Sequence, residues 1–163
     1  MQLTIDLHLK TREVYKLFEL KISDTRFFMD AVLRKINRID LVAPKIKLQI
    51  EQDLRSLIAE FSQKTACFEK MLDNNKNIRI KSINVSTQFH TKIIITNKLG
   101  ILLVEFIERY DSLIALIKLL HLSGYFDSKQ AYYINRKHVK KMGNKMLSKL
   151  LLLSKQYMGS QHS

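Results

Sequence analysis

Cysteine, glycine and proline are all scarce in this chain of 163 residues. The single cysteine, Cys67, excludes a disulfide framework within the chain and points to a reducing compartment, the cytoplasm. It sits beside Phe68 in a helical pattern and reads as a small core residue rather than a nucleophile. The four glycines (Gly100, Gly124, Gly143, Gly159) are scattered, which excludes a P-loop. The five histidines (His8, His90, His121, His138, His162) have no metal-ligand spacing with one another or with Cys67. The longest apolar stretch, 101–122, is broken by Glu105, Glu108, Arg109, Asp111 and Lys118, which argues against a membrane span. The alternating start lacks the continuous apolar segment of a signal peptide. Glu105, Glu108, Arg109 and Asp111 read as a solvated helix face, with Glu105 and Arg109 spaced for an i,i+4 pair. No catalytic constellation stands out, so the expectation is a protein that is not an enzyme, with no cofactor, no metal and no small-molecule substrate.

The net charge of +13 is distributed unevenly. Between Asn74 and Val104 there are five basic residues and no acid; from Ser128 to the end there are eight, again with no acid. The rest of the chain carries fifteen of each sign, so these two segments hold the whole excess. Charge confined to acid-free stretches implies surfaces of sustained positive potential, whose usual partner is a polyanion, nucleic acid above all. An acidic protein is the next partner class, and a membrane surface comes last.

Apolar residues make up 46% of the chain, enough for a proper core, and the length fits one domain. Leu3, Ile5, Leu7 and Leu9 alternate as a half-buried strand. Thr11 can cap a short helix carrying Val14, Leu17 and Phe18. Ser23-Asp24-Thr25 reads as a second helix start, followed by Phe28, Ala31, Val32 and Ile36 on one face. Pro44, the only proline, suits the first turn of a long helix whose stripe is Ile46, Ile50, Leu54, Leu57, Ile58 and Phe61. After a turn at 73–77, residues 78–86 alternate with a phase slip at Ser82. His90 to Thr96 is a β-branched run and the best strand candidate. Asn97 or Lys98 opens a helix, 98–122, that is apolar on nearly all sides and so forms the centre of the core or of a dimer. Gly124 ends it, and Asp127 or Ser128 caps a last helix, 128–157, with Tyr132, Val139, Met142, Met146, Leu150, Leu153 and Tyr157 on one face. The tail from 159 to 163 is expected to fray.

A basic strand followed by two helices matches the ribbon-helix-helix layout, in which strands from two protomers pair and enter the major groove. One face of the strand carries His90, Lys92, Ile94 and Thr96; the other, with Thr91, Ile93, Ile95 and Asn97, would pack on the helices. Lys92 can donate to guanine edges, Thr96 can touch a thymine methyl, and His90 can donate or accept. Lys98 adds a charge beside that strand. Arg79 and Lys81 share the basic face of the preceding strand and would extend the groove contact or grip phosphates. Arg136, Lys137, Lys140 and Lys141 cluster on the last helix and suit phosphate contacts, which position a protein without reading sequence.

Specific residues also suggest a family. Leu3-Thr4-Ile5 followed by Thr11-Arg12 and, further on, Leu17-Phe18 resembles the opening pattern of the AcaB-like family, encoded on conjugative plasmids and integrating conjugative elements. Gly100 to Leu103, Tyr110-Asp111-Ser112-Leu113-Ile114 and His121 to Gly124 are similar to a second block of that family. The resemblance spans about residues 3–150 and implies a transcriptional regulator with a ribbon-helix-helix-like DNA-binding core.

The expectation is therefore an α+β fold, mostly helical, with a small antiparallel sheet from 2–9, 78–86 and 90–97 and a ribbon-helix-helix-like C-terminal half. Residues 1–158 form one DNA-binding domain, a helical part over 1–75 and a strand-helix-helix part over 76–158. It is expected to form a homodimer through helix 98–122, with the strand as a further contact, and to bind double-stranded DNA, with the two acid-free stretches on one shared surface. The alternatives are an RNA-binding or non-specific nucleic-acid-binding factor, and an adaptor of a conjugation or secretion apparatus that docks an acidic protein.

Overall fold

The computed structural model describes residues 1–74 and 89–153. The elements run β1 (Leu3–Leu9), α1 (Arg12–Glu19), β2 (Lys21–Ser23), β3 (Arg26–Phe27), α2 (Phe28–Asn37), a 3-10 turn (Ile39–Leu41), α3 (Pro44–Asp73), β4 (Phe89–Ile95), α4 (Lys98–Leu122) and α5 (Lys129–Leu151). Helix dominates, and the sheets are two small antiparallel pairs, β1 with β4 and β2 with β3. The expected strand 78–86, the helix end near Tyr157 and the tail 159–163 lie outside the described residues.

Local chemistry sets the helix ends. The Thr11 hydroxyl accepts from the Val14 N–H at 3.4 Å and opens α1. Asn97 Oδ1 accepts from Gly100 N–H at 2.9 Å to open α4, and Ser128 Oγ accepts from Ala131 N–H at 3.1 Å to open α5. Gly124, at φ +76°, closes α4. Its N–H reaches His121 C=O and the next N–H, of Tyr125, reaches back to Leu120 C=O, a Schellman closure that needs the left-handed residue glycine supplies.

Ser23-Asp24-Thr25 does not start a helix. Ser23 ends β2 opposite Arg26, Asp24 and Thr25 form the hairpin turn, and Phe28 N–H bonds Leu20 C=O at 2.8 Å before α2 begins. Ser, Asp and Thr serve turns and N-caps by the same local hydrogen bonds, and here cross-strand pairing decides between them.

Helix α4 is the centre of the core. It buries thirteen non-glycine side chains, from Leu99 to Leu120, and packs on α3, α5, α2, α1 and β1. Phe61 of α3 stacks on Phe106 at 5.8 Å, and both approach Tyr110 at about 6 Å between ring centres. The expected dimer face on 98–122 is thereby corrected: only Ile101 and Leu122 remain as exposed large apolar residues on α4. Cys67 is also corrected. It is exposed, because the α3 stripe of fully buried residues ends at Phe61.

The strand pairing differs from a two-protomer ribbon. β4 pairs within the chain, Leu3 opposite Ile95 through Leu9 opposite Phe89. On its other edge the Asn37 side chain donates to Ile94 C=O at 2.9 Å and accepts from Thr96 N–H at 3.2 Å. One amide thus satisfies the carbonyl and N–H that flank Ile95, as a residue of a third strand would.

Candidate nucleic-acid interface

The outward face of the β1–β4 pair is made by alternation. Ile93 and Ile95 are buried, while His90, Lys92 and Ile94 (48% exposed) face outward. Their cross-strand partners are His8, Asp6 and Thr4, all exposed. Lys92 therefore lies opposite a carboxylate that no count along the 74–104 stretch contains. The His8 and His90 rings are 5.2 Å apart. Thr96 is exposed, but its hydroxyl donates to Asn37 C=O at 3.2 Å, which ties it to α2. Lys98, the first residue of α4, is exposed and lines a cleft with Lys47, Glu51 and Arg55. There Lys47 is paired with Asp40 and Arg55 with Glu51, so Lys98 is the cation of that cleft without an ion pair among the described residues. Arg79 and Lys81 lie outside the described residues.

The α5 cluster divides into two faces. Lys137 and Lys141 are exposed, while Arg136 and Lys140, one turn apart, are half-buried and line a cleft shared with α1. No ion pair among the described residues reaches Arg136, Lys137, Lys140 or Lys141; on this helix the pair to an acid is Lys149 with Asp53. The Arg136 guanidinium lies 5.1 Å from the Tyr132 ring and 5.0 Å from the Tyr133 ring, and Nη1 donates to the Tyr132 hydroxyl at 3.2 Å. His121 stacks on the opposite end of this cluster, its ring 4.0 Å from Tyr132.

At the start of α1 the two sequence blocks meet. Asp111, 2% exposed, accepts from Lys10 N–H at 2.7 Å, Thr11 N–H at 2.9 Å and the Thr11 hydroxyl at 2.7 Å. It is not part of a solvated face, as its charged neighbours suggested. Burial pushes its carboxyl up, and these donors oppose that shift. The spacing Val104, Ile107, Asp111, Ile114 places Asp111 on a buried stripe, a signal present in the sequence. Next to it, the Tyr110 hydroxyl donates to Asn144 Oδ1 at 3.1 Å; burial, then the charge of Glu13, pushes that hydroxyl up, so it stays a donor.

The structure does not place the strand set and the helix set in one cleft. Two elements reach both sets: α2 packs on β4 and on α5, and on α1 Tyr15 stacks on Phe89 of β4 at 4.9 Å while Arg12 and Lys16 line one cleft with Arg136 and Lys140. Arg12, Lys16 and Asp6 escaped the sequence reasoning because they lie in the charge-balanced part of the chain and meet their neighbours only in space.

No family model matches the sequence, and no curated protein matches it. Among solved structures the chain is similar to the crystal structure of selenomethionine-containing AcaB from uropathogenic E. coli, with 16% identity, a TM-score of 0.66, and 99% of this chain and 82% of that one covered. No described helix is long and apolar enough to cross a membrane. At that identity the likeness is one of architecture, and what this chain shares with AcaB is its fold.

Proposed function

We propose that this protein is a DNA-binding transcriptional regulator of the AcaB-like kind, acting as a homodimer on double-stranded DNA of a mobile conjugative element. The observation that carries the reading is the cationic side of α5, where Arg136, Lys137, Lys140 and Lys141 have no ion-paired acid among the described residues. Such a surface favours a polyanion, because contact releases the counterions condensed on it. The quoted sequence blocks and the AcaB-like fold support the same reading.

In this proposal the β1–β4 pair is itself the ribbon. Two antiparallel strands have the width that a major groove admits. Lys92 donates to guanine edges, Asp6 opposite accepts from a cytosine amino group, and His90 takes either role. Asp6 repels phosphate, so this face suits base edges, and phosphates fall to the α5 cluster with Lys98, Arg79 and Lys81. Thr96, held by Asn37, supports the ribbon's end; its methyl and Ile94 are the apolar contacts for a thymine methyl.

Selection of bound sequences from random duplex DNA at physiological salt tests this. One enriched motif with two related half-sites is the expected result, the spacing reflecting a twofold dimer. Recovery of duplexes without any enriched motif would sink the sequence-reading role. A second reading, a single-stranded or RNA-binding factor, draws on Tyr133. It is 45% exposed, with Arg136 at 5.0 Å and Lys129 at 5.9 Å from its ring, a platform on which an unpaired base stacks. Preference for single strands over duplex, lost in Tyr133→Ala, would favour that reading.

A further inference from the structure

The cleft between α1 and α5 has a volume of about 360 Å³ and is lined by Arg12, Glu13, Lys16, Arg136, Lys140 and Asn144, with Leu17 and Leu20 at one side. Four of these side chains are cations and one is a carboxylate. That carboxylate already has a counter-charge: Lys118 Nζ of α4 lies 2.6 Å from Glu13 Oε2, an ion pair without hydrogen-bond geometry. Burial alone would raise the Glu13 carboxyl, yet the Lys118 ammonium beside it, its own N–H and the Arg136 charge together hold it below its ordinary value. Glu13 thus stays ionised and Lys118 cancels it, leaving four positive charges around one concavity.

Such an arrangement repels itself unless an anion enters. Its parts suit an anion of one kind. Arg136 is held by two tyrosine rings and the Tyr132 hydroxyl, so its planar fork is fixed before a ligand arrives. Lys140 stands one turn along α5, and Arg12 and Lys16 stand one turn apart on α1. Asn144 accepts the Tyr110 proton with Oδ1, which leaves its amide NH2 as a neutral donor. Forked and point cations converging from two helices, with a neutral donor between, match the tetrahedral oxygens of phosphate. The volume is within the range of small-molecule sites.

We propose that the α1–α5 cleft is a phosphate-binding site, taking a compact phosphate anion of pyrophosphate size or the phosphate end of a larger ligand. It stands on its own geometry and holds whether or not the β1–β4 ribbon reads DNA. The phosphate has two possible sources, a free phosphorylated molecule or the backbone of a duplex.

Calorimetric titration of the full chain with pyrophosphate at low salt tests the site. One saturable site is expected, weakened about tenfold by Arg12→Gln and about tenfold by Lys16→Gln, since a charge-assisted hydrogen bond contributes roughly that factor. Both residues are exposed on α1, so neither change threatens the core. Lys145→Gln, exposed further along α5 beside the separate cleft with α3, should leave the affinity within about twofold. A thermal melt gives a second readout: pyrophosphate should raise the wild-type midpoint and leave that of the Arg12→Gln, Lys16→Gln double variant in place. Absence of saturable binding would overturn the site, as would equal weakening by Lys145→Gln, which is the mark of diffuse charge. Duplex DNA titrated with and without saturating pyrophosphate then identifies the source. Competition means that the backbone occupies the cleft; unchanged duplex affinity means a free phosphorylated ligand. A wild-type chain that binds pyrophosphate but no duplex would sink the DNA reading and leave this site standing.

Discussion

Replacing Asp111 with alanine should destabilise the protein far more than any neighbouring charge change. Asp111 accepts three hydrogen bonds, from Lys10 N–H at 2.7 Å, Thr11 N–H at 2.9 Å and the Thr11 hydroxyl at 2.7 Å. Thr11 is itself buried, so its two donors would be stranded away from water. A stranded donor costs about 1–3 kcal/mol. Lys10 is only partly buried, and its N–H can recover a water. Removing a buried charge returns part of the cost, because burial pushes the Asp111 carboxyl up. The net expectation is a loss of about 3 kcal/mol, near the lower end for breaking a buried charged network. For a chain of this size that lowers Tm by roughly 6–12 °C. Urea and thermal unfolding followed by circular dichroism measure it, with Glu108→Ala on the exposed face of the same helix as the control, expected within about 0.5 kcal/mol of wild type. Asp111→Asn should fall between the two, since it can keep an oxygen toward Thr11 but sets an NH2 against Lys10 N–H. A loss below about 1 kcal/mol for Asp111→Ala would refute the claim that this carboxylate joins α1 to α4.

Three further outcomes follow from the packing, the ion pairs and the proposed interface. Gly143→Ala should cost about 1–3 kcal/mol by chemical unfolding, because a Cβ there would overlap the buried Tyr110 ring, which has no room to retreat. Glu13 has a folded-state carboxyl below its ordinary value, so its contribution to stability is present above the usual carboxylate range and is lost as pH falls through that lowered value; Glu13→Gln should flatten this acid limb in unfolding curves measured across acidic pH, and an unchanged limb would contradict the pairing with Lys118. On DNA, Lys92→Ala should relax sequence preference, whereas Lys140→Ala should weaken all duplexes alike and reduce the salt slope by about 1; quantitative binding across several salt concentrations separates the two, and identical effects on every sequence would void the division of roles.

What was legible in the sequence is what local chemistry decides. The ends of α4 follow from Asn97 and Gly124, and the start of α5 from Ser128, because caps are bonds between residues three to five apart. The outward and inward faces of the 89–95 strand follow from alternation alone. The hairpin at 21–27 was not legible, since the same Ser, Asp and Thr chemistry serves a turn or a cap and the choice rests on pairing between Lys21 and Phe27. The dimer face was misplaced for a related reason: an all-round apolar helix has the same sequence whether it is buried by its own chain or by another.

The charge pattern shows the deeper limit. Counting along the chain correctly isolated α5 as free of acids, because a helix keeps its own residues together. It failed for β4, whose nearest acid, Asp6, is 86 positions away and arrives only through strand register. It failed in the opposite sense for α1, where Arg12 and Lys16 were averaged against acids such as Glu13 that the fold hands to Lys118 instead. Net charge over a window is therefore a fair guide to potential only when the window is one helix facing solvent. Where two elements meet, the surface charge is set by which carboxylates the fold has already paired, and by that measure the most positive concavity described lies between α1 and α5 rather than on the strand.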